Sequence, residues 1–378
     1  MRPDSHPGLV LYNPPSSARR KPVMPLSLLA LGALLEGRHD YTIVDGNLDR
    51  HALETIDGLV RNGADMLAVT VMPGPQLADA VPVCRELKAR HPNLRIIWGG
   101  YFPTQHWDVC LKSGYVDYVV RGHGEVVFSD LVDRLARGDD PTGQAGLAYR
   151  RDDGLPFTNP TAPIPHPDSM PDFPYQRIDV GRYARASFMG KRTLAHHSSY
   201  GCPFFCNFCA VVNMVGGRWL AQSAERTARI TRHLVSDYGA DAVEFYDNNF
   251  FVHEARTAEF AERILDLGIG WWGESRIDTM LRYSERTWSL MRDSGLRMVF
   301  MGAESGSDET LKRMNKGGAA STDKTLAIAE KCRAYGIVPE FSFVLGNPPD
   351  PEADVHGTLE FIRKVKRVNP HTEIILYV

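Results

Sequence analysis

Two runs of alternating strand-like and helix-like segments, separated by a proline-crowded stretch, constrain the fold of this chain more than any other feature. In the first run Gly8–Tyr12, Tyr41–Asp45, Asp65–Met72, Leu94–Trp98 and Val116–Val120 read as short apolar strands. Helical patterns fill the gaps at Pro25–Glu36, His51–Arg61, Ala78–Arg90, Thr104–Lys112 and Glu125–Arg137. Continuous apolar strands alternating with helices predict a parallel sheet covered on both faces. Ligands of such a sheet sit past the carboxyl ends of its strands. The sequence places Asn13-Pro14-Pro15, Met72-Pro73-Gly74-Pro75, Gly99-Gly100-Tyr101-Phe102-Pro103 and Gly122-His123-Gly124-Glu125 there. Glycine lets the backbone approach a ligand closely, and proline stiffens a loop.

The second run begins at Thr193. Its strands are Thr193–Ser199, Ala242–Tyr246, Ile269–Glu274, Met298–Gly302, Val338–Leu345 and Thr372–Val378, with helices at Ala224–Tyr238, Arg256–Leu267, Glu285–Ser294, Lys324–Tyr335 and Asp354–Val368. Six strands and five helices are too few for an eight-stranded barrel, so an incomplete parallel barrel is expected. Between the runs, Asp153-Gly154 signals a hairpin, and the proline-rich segment from Pro156 to Pro174 reads as an extended linker. The expected α/β organisation is a doubly wound domain over 1–140, a linker with a short hairpin over 141–192 and a partial barrel over 193–378. A length of 378 residues suits two such domains.

A net charge of −3 without a basic block argues against nucleic acid or an anionic membrane surface as partner. The Met1–Leu9 segment lacks the apolar core of a secretory signal, and Pro25–Leu35 is too short to span a bilayer. The expected setting is cytoplasmic, where Cys84, Cys110 and Cys332 would remain single buried thiols.

The other three of the six cysteines lie in Tyr200-Gly201-Cys202-Pro203-Phe204-Phe205-Cys206-Asn207-Phe208-Cys209, just after a strand. A structural zinc normally takes four protein ligands, whereas four-iron clusters favour thiolates at short spacings. Three thiolates on a four-iron cube leave one iron open, which is where a substrate can coordinate. The bland alternative is zinc with His196 or His197 as the fourth ligand. Adjacent strand residues point to opposite faces, so at most one of the two histidines could reach inward. Three cysteines in one cytosolic loop would leave a thiol over, which disfavours a disulfide there.

The spacing Cys202-x3-Cys206-x2-Cys209, with aromatic Phe208 before the last cysteine, resembles the cluster motif of the radical S-adenosylmethionine (SAM) enzymes. That resemblance implies a partial (β/α)6 barrel, a [4Fe-4S] cluster on Cys202, Cys206 and Cys209, and SAM chelating the open iron. It also implies reductive cleavage of a carbon–sulfur bond to a 5′-deoxyadenosyl radical. An electron donor such as flavodoxin or ferredoxin would supply the electron. By the same resemblance Phe208 lies near the adenine. Asp247, in Phe245-Tyr246-Asp247-Asn248-Asn249-Phe250, sits where relatives hold the methionine amino group. Glu304, in Gly302-Ala303-Glu304-Ser305-Gly306, lies near polar groups of the cofactor. Arg276, past the third strand, is a candidate bidentate partner for the SAM carboxylate, and Ser342 in the fifth strand is a further candidate contact. No residue is assigned a catalytic role.

The first domain resembles the cobalamin-binding domain that precedes the barrel in one subgroup of these enzymes, through Pro22–Glu36, Tyr41–Asp45, Trp98–Pro103 and Tyr118–Glu125. Gly74, Gly99, Gly100, Gly122 and Glu125 are the candidate cobalamin contacts. A dinucleotide-binding domain would instead require G-x-G-x-x-G after the first strand, where this chain has Asn13-Pro14-Pro15-Ser16. No D-x-H-x-x-G motif follows the first strand either. Asp4-Ser5-His6 lacks its glycine spacing, and His106 and His123 are single loop histidines. The subgroup commonly binds cobalamin without a histidine ligand.

The function implied is methylation of an unactivated carbon of a small molecule or natural product, with cobalamin as methyl carrier. The alternatives are a radical cyclisation, oxidation or rearrangement on a tetrapyrrole or other natural product, as in the anaerobic porphyrin-ring cyclases of the same architecture, and a non-catalytic cobalamin or metal sensor. Relatives usually continue beyond the sixth strand. This chain ends at Tyr377-Val378 inside it and is read as a fragment, or as a protein whose cap a partner supplies.

Overall fold

The structure, a computed structural model, describes residues 8–16, 22–316 and 320–378; Asp4-Ser5-His6 lie outside the described residues. It divides into two compact units, Met1–Tyr183 and Ala184–Val378.

The first unit runs β1 (Leu9–Asn13), α1 (Leu26–Leu35), β2 (Tyr41–Asp45), α2 (Ala52–Arg61), β3 (Met66–Thr70), α3 (Pro75–Arg90), β4 (Arg95–Gly99), α4 (Tyr101–Gln105), α5 (Trp107–Lys112), β5 (Tyr118–Val120), α6 (Glu125–Arg137), β6 (Leu147–Arg150) and β7 (Pro156–Thr158). The sheet order is β2-β1-β3-β4-β5-β6-β7. The first five strands are parallel, and β6 and β7 add antiparallel at the edge. Strand alternation divides the apolar residues between two cores. Val10, Tyr12, Leu67, Val69, Ile96 and Trp98 pack with Ile56, Cys84, Leu87 and Leu111 on one face. Leu9, Leu11, Met66, Ala68 and Ile97 pack with Leu28, Leu35, Phe128 and Leu131 on the other. Both faces are covered, as the unbroken apolar strands require. The order 2-1-3-4-5 has its switch point between β1 and β3, the place where doubly wound sheets bind ligands.

Two local readings change. Thr104–Lys112 is not one helix: α4 and α5 meet at His106, whose backbone leaves the helical region (φ −123°, ψ 38°). The stretch read as a linker over 141–192 is in large part structure of the first unit. Its hairpin turns at Gly154 (φ 79°) and pairs with β5. Beyond it Tyr175, Val180 and Tyr183 are buried, the Tyr183 hydroxyl donates to Asp45 Oδ2 at 2.7 Å, and Arg177 pairs with Glu36 at 2.6 Å. Proline content signalled an extended path, but the aromatic side chains along that path anchor it.

The second unit runs β8 (Thr193–His196), β9 (Ser199–Gly201), α7 (Val211–Val215), β10 (Trp219–Ala221), α8 (Ala224–Tyr238), β11 (Ala242–Phe245), α9 (Glu254–Arg263), β12 (Gly270–Ser275), α10 (Ile277–Met280), α11 (Glu285–Asp293), β13 (Leu296–Glu304), α12 (Asp308–Arg313), α13 (Thr322–Tyr335), β14 (Val338–Val344), α14 (Pro351–Val368) and β15 (Glu373–Tyr377). Among the described residues six parallel strands pair in the order β15-β14-β13-β12-β11-β8, an open (β/α)6 array. Side-chain caps start the helices: Ser223, Ser284, Ser307, Ser321 and Asp350 each accept from a backbone N–H three residues on. An aromatic cluster of Phe245, Phe250, Phe251, Phe260 and Trp271 fixes β11 and β12 against α9, with Phe251 and Trp271 stacked at 5.8 Å. Among the described residues no helix is long and apolar enough to cross a membrane.

Candidate active site and cofactor-binding loops

The three clustered cysteines lie on the excursion between β9 and β10, which pair antiparallel with Gly201 opposite Trp219. This ribbon pins both ends of the loop. Gly201, immediately before Cys202, has φ +78°, and a Cβ there would collide with the Arg218 carbonyl oxygen and with Val215. The loop is also held from outside. Asn207 Nδ2 donates to the Arg313 carbonyl at 2.8 Å. Arg276 Nη1 donates to Cys206 Sγ at 3.4 Å, and its guanidinium lies 4.0 Å from the centre of the Phe204 ring. Asn249 Nδ2 reaches Cys202 Sγ at 3.8 Å. The thiols are free and partly exposed. Burial pushes the Cys206 thiol up, while Arg276 and Lys316 pull it down.

Among the described residues no three His, Cys, Asp or Glu side chains are gathered as one ion requires. Sulfurs around a single tetrahedral zinc would lie roughly 3.8 Å apart, given Zn–S bonds of about 2.3 Å. His196 does not complete such a set. It is buried, 3.1 Å from Gln222 Oε1, and burial lowers its pKa to about 4. Three free thiols on one loop, with N–H donors aimed at two of them, are a donor set that suits an iron–sulfur cluster.

The carboxyl ends of the strands surround this loop with buried polar groups. Asp247, fully buried, accepts from Ser198 N and Oγ at 2.6 Å each and from Ser199 Oγ at 2.7 Å. Its carboxylate is thus engaged by the segment that leads into the cysteines. Asn249, two residues on, is buried, and its Oδ1 has no partner. Arg276 directs Nε at Asp278 (3.0 Å) and Nη2 at the Lys316 carbonyl (2.8 Å) in addition to Cys206. Glu304 sits at a register shift between β13 and β14, in a left-handed conformation (φ 66°). Its buried carboxylate pairs with Lys316 Nζ at 2.6 Å, and the same ammonium donates to the Gly302 carbonyl. Ser342 is buried opposite Gly302, and Phe208 is exposed. Neither Lys316 nor Asn249 stands out in the sequence: Lys316 follows a short helix with no motif around it, and Asn249 sits behind the more conspicuous Asp247.

In the first unit the glycines expected to contact cobalamin lie at strand ends. Gly74 (φ +88°) and Gly122 (φ +77°) have no atom within 4 Å of a Cβ position, so bare backbone is presented there. At Gly100 (φ +97°) a Cβ would press on Val71 N at 3.1 Å, where the loop after β4 crosses β3. Thr104 joins two of these loops, donating to the Gly100 carbonyl at 2.7 Å and accepting from Gly122 N at 3.0 Å. Gly99 closes β4. Glu125, at the start of α6, is buried, and its Oε2 has no partner. The loop after β1 is set by Gln76, whose Nε2 donates to Asn13 Oδ1 (2.9 Å) and the Pro14 carbonyl (3.0 Å). Open glycine backbone beside an unsatisfied buried carboxylate oxygen fits a large polar ligand with amide donors, as the corrin periphery offers.

Comparison with known proteins matches residues 18–132 to the B12 binding domain and residues 197–362 to the Radical SAM superfamily. An uncharacterized methyltransferase of Pyrococcus horikoshii is 27% identical over 366 residues, covering 94% of this chain and 78% of the relative. The anaerobic magnesium-protoporphyrin IX monomethyl ester cyclase of Synechocystis is 30% identical over 328 residues, covering 84% of this chain and 64% of the relative. The radical SAM methyltransferase TsrM of Kitasatospora setae, solved with cobalamin and a [4Fe-4S] cluster, shares the fold with a TM-score of 0.78 at 18% identity, covering 97% of this chain and 71% of that one. The two matched domains bring their cofactor set with them: a [4Fe-4S] cluster and SAM for one, cobalamin for the other. The chain is a radical SAM enzyme with a B12 binding domain ahead of its barrel.

Proposed function

We propose that this enzyme methylates an unactivated carbon of a small molecule or natural product, using cobalamin as methyl carrier. The observation that carries the reading is the presence, in one chain, of a three-thiol barrel loop and a B12 binding domain. When bound, the cluster with SAM supplies a radical initiator, and cobalamin supplies a transferable methyl group. The chain's own residues bind and orient. Cys202, Cys206 and Cys209 hold the cluster. Asn249 Oδ1 accepts from the SAM amino group, Glu304 and Ser342 meet its polar groups, and Phe208 covers the adenine. Gly74, Gly99, Gly100 and Gly122 admit cobalamin to the loop backbone, and Glu125 Oε2 takes one of its amide donors. A low-potential protein such as a flavodoxin or ferredoxin delivers the electron.

The test is anaerobic turnover with SAM labelled in its methyl group. Labelled product together with 5′-deoxyadenosine supports methylation. SAM cleavage on the true substrate without a methylated product rejects it. The similarity to the cyclase supports a second reading, ring closure or oxidation of a tetrapyrrole or other natural product. Product mass separates the two: a gain of one methylene against a loss of hydrogens.

A further inference from the structure

Arg276 is almost wholly buried, yet its guanidinium is not paired with a carboxylate alone. Nε is held by Asp278, Nη2 by the Lys316 carbonyl, and the cation lies against Phe204, which leaves Nη1 fixed on Cys206 Sγ at 3.4 Å. Lys316 is itself locked by Glu304. A long side chain anchored at three points has one direction left for the fourth contact, and that direction is a sulfur of the cysteine loop. Hydrogen bonds to cluster sulfurs and nearby charge set the reduction potential of iron–sulfur centres. We propose that Arg276 is a positioning residue of the cluster. It orients Cys206 and, through its N–H···S bond and positive charge, raises the potential at which the cluster accepts its electron.

The step concerned is one-electron reduction of the [4Fe-4S] cluster from the 2+ to the 1+ state by a low-potential one-electron donor, with no bond made or broken. The reduced cluster carries one more negative charge, so a fixed donor and cation beside it favour the reduced form. Arginine suits this role and lysine does not, because only a planar fork can serve Asp278, Lys316 and Cys206 together.

The inference rests on the radical SAM assignment and not on what the enzyme does to its substrate. The test is redox titration of anaerobically purified full-length protein with titanium(III) citrate, without SAM or substrate, followed by electron paramagnetic resonance, with iron counted per chain. In Arg276→Gln the reduced-to-oxidised ratio at a fixed solution potential is expected to fall about tenfold, which is about 59 mV for a one-electron couple. Arg276→Lys keeps the charge but loses the fork, and is expected to hold iron with a smaller shift in the same direction. A full iron complement with an unchanged potential in Arg276→Gln overturns the proposal. If that variant cannot retain iron, an unchanged potential in Arg276→Lys overturns it equally. A wild-type chain that takes up no four-iron cluster would sink the radical SAM assignment along with it, whereas an unmoved potential sinks this proposal alone.

Discussion

Glu304 and Lys316 form a nearly water-free ion pair, 2.6 Å from oxygen to nitrogen, with Glu304 in a left-handed backbone conformation (φ 66°). Breaking one side of a buried pair leaves an uncompensated charge and costs about 3–5 kcal/mol, whereas replacing both partners costs much less. Lys316→Met is therefore expected to lower the stability of the second unit by about 3 kcal/mol or more. Glu304→Gln with Lys316→Met should recover most of that loss. Denaturant unfolding of the two single variants and the double variant measures the coupling. Additive losses would show that the pair contributes little beyond its separate contacts.

Asp247 ties the end of β11 to Ser198 and Ser199, just ahead of the cysteine loop. Asp247→Asn turns one acceptor oxygen into a donor facing other donors. Hydrogen bonds to a charged group are worth about 1.5–3 kcal/mol each, so a destabilisation of about 3 kcal/mol is expected. Iron content after anaerobic reconstitution should fall with it, because the Ser198–Ser199 segment carries Gly201 and Cys202 behind it. Full iron loading in a folded Asp247→Asn protein would show that the loop does not depend on this anchor.

Gly201→Ala tests the same loop from its own backbone. A non-glycine residue at φ +78° is strained by roughly 1–2 kcal/mol, and here the new methyl also meets Arg218 and Val215. The six-stranded array does not pass through this residue. The expected result is a folded protein with a far-ultraviolet circular dichroism spectrum close to wild type and a depleted cluster absorbance near the visible region. Normal absorbance per chain would refute the steric account.

Glu274 on β12 is pushed up to about 7 by burial and by the neighbouring Asp247 and Glu340 carboxylates. The folded chain therefore keeps this proton between about 4.5 and 7, where the unfolded chain has already released it. Stability falls as pH rises through that window and stays low above it. Glu274→Gln removes the slope. It should unfold like wild type near the lower limit and gain up to about 3 kcal/mol above the upper one. Urea midpoints measured across the window decide this, and parallel wild-type and variant curves would rule out Glu274 as their source.

The Tyr183–Asp45 hydrogen bond and the pairing of β6 on β5 place the end of the first unit after the proline-rich stretch. A fragment ending at Tyr183 is expected to unfold cooperatively. One ending at residue 140 bares the β5 edge and strips Asp45 of a buried partner, and should aggregate or melt broadly. Equal melting of the two fragments would show that the segment adds nothing to the unit.

The sequence by itself determined the two βα arrays and the three-cysteine loop, because these are local properties. Apolar periodicity, serine and aspartate caps and the spacing of Cys202, Cys206 and Cys209 all act within a few residues of the chain. It also marked Gly100 and Gly122, since a loop glycine after a strand announces backbone that other residues cannot adopt. Only the tertiary structure decided what the polar residues at the strand ends do. Asp247 is turned to Ser198 and Ser199, Asn249 beside it has the open acceptor, Arg276 is fixed on Cys206, and Lys316 pairs with Glu304. A carboxylate or guanidinium is satisfied by whichever partners the fold brings near. Those partners lie 12 to 70 residues away along the chain, and no local pattern records distances of that kind.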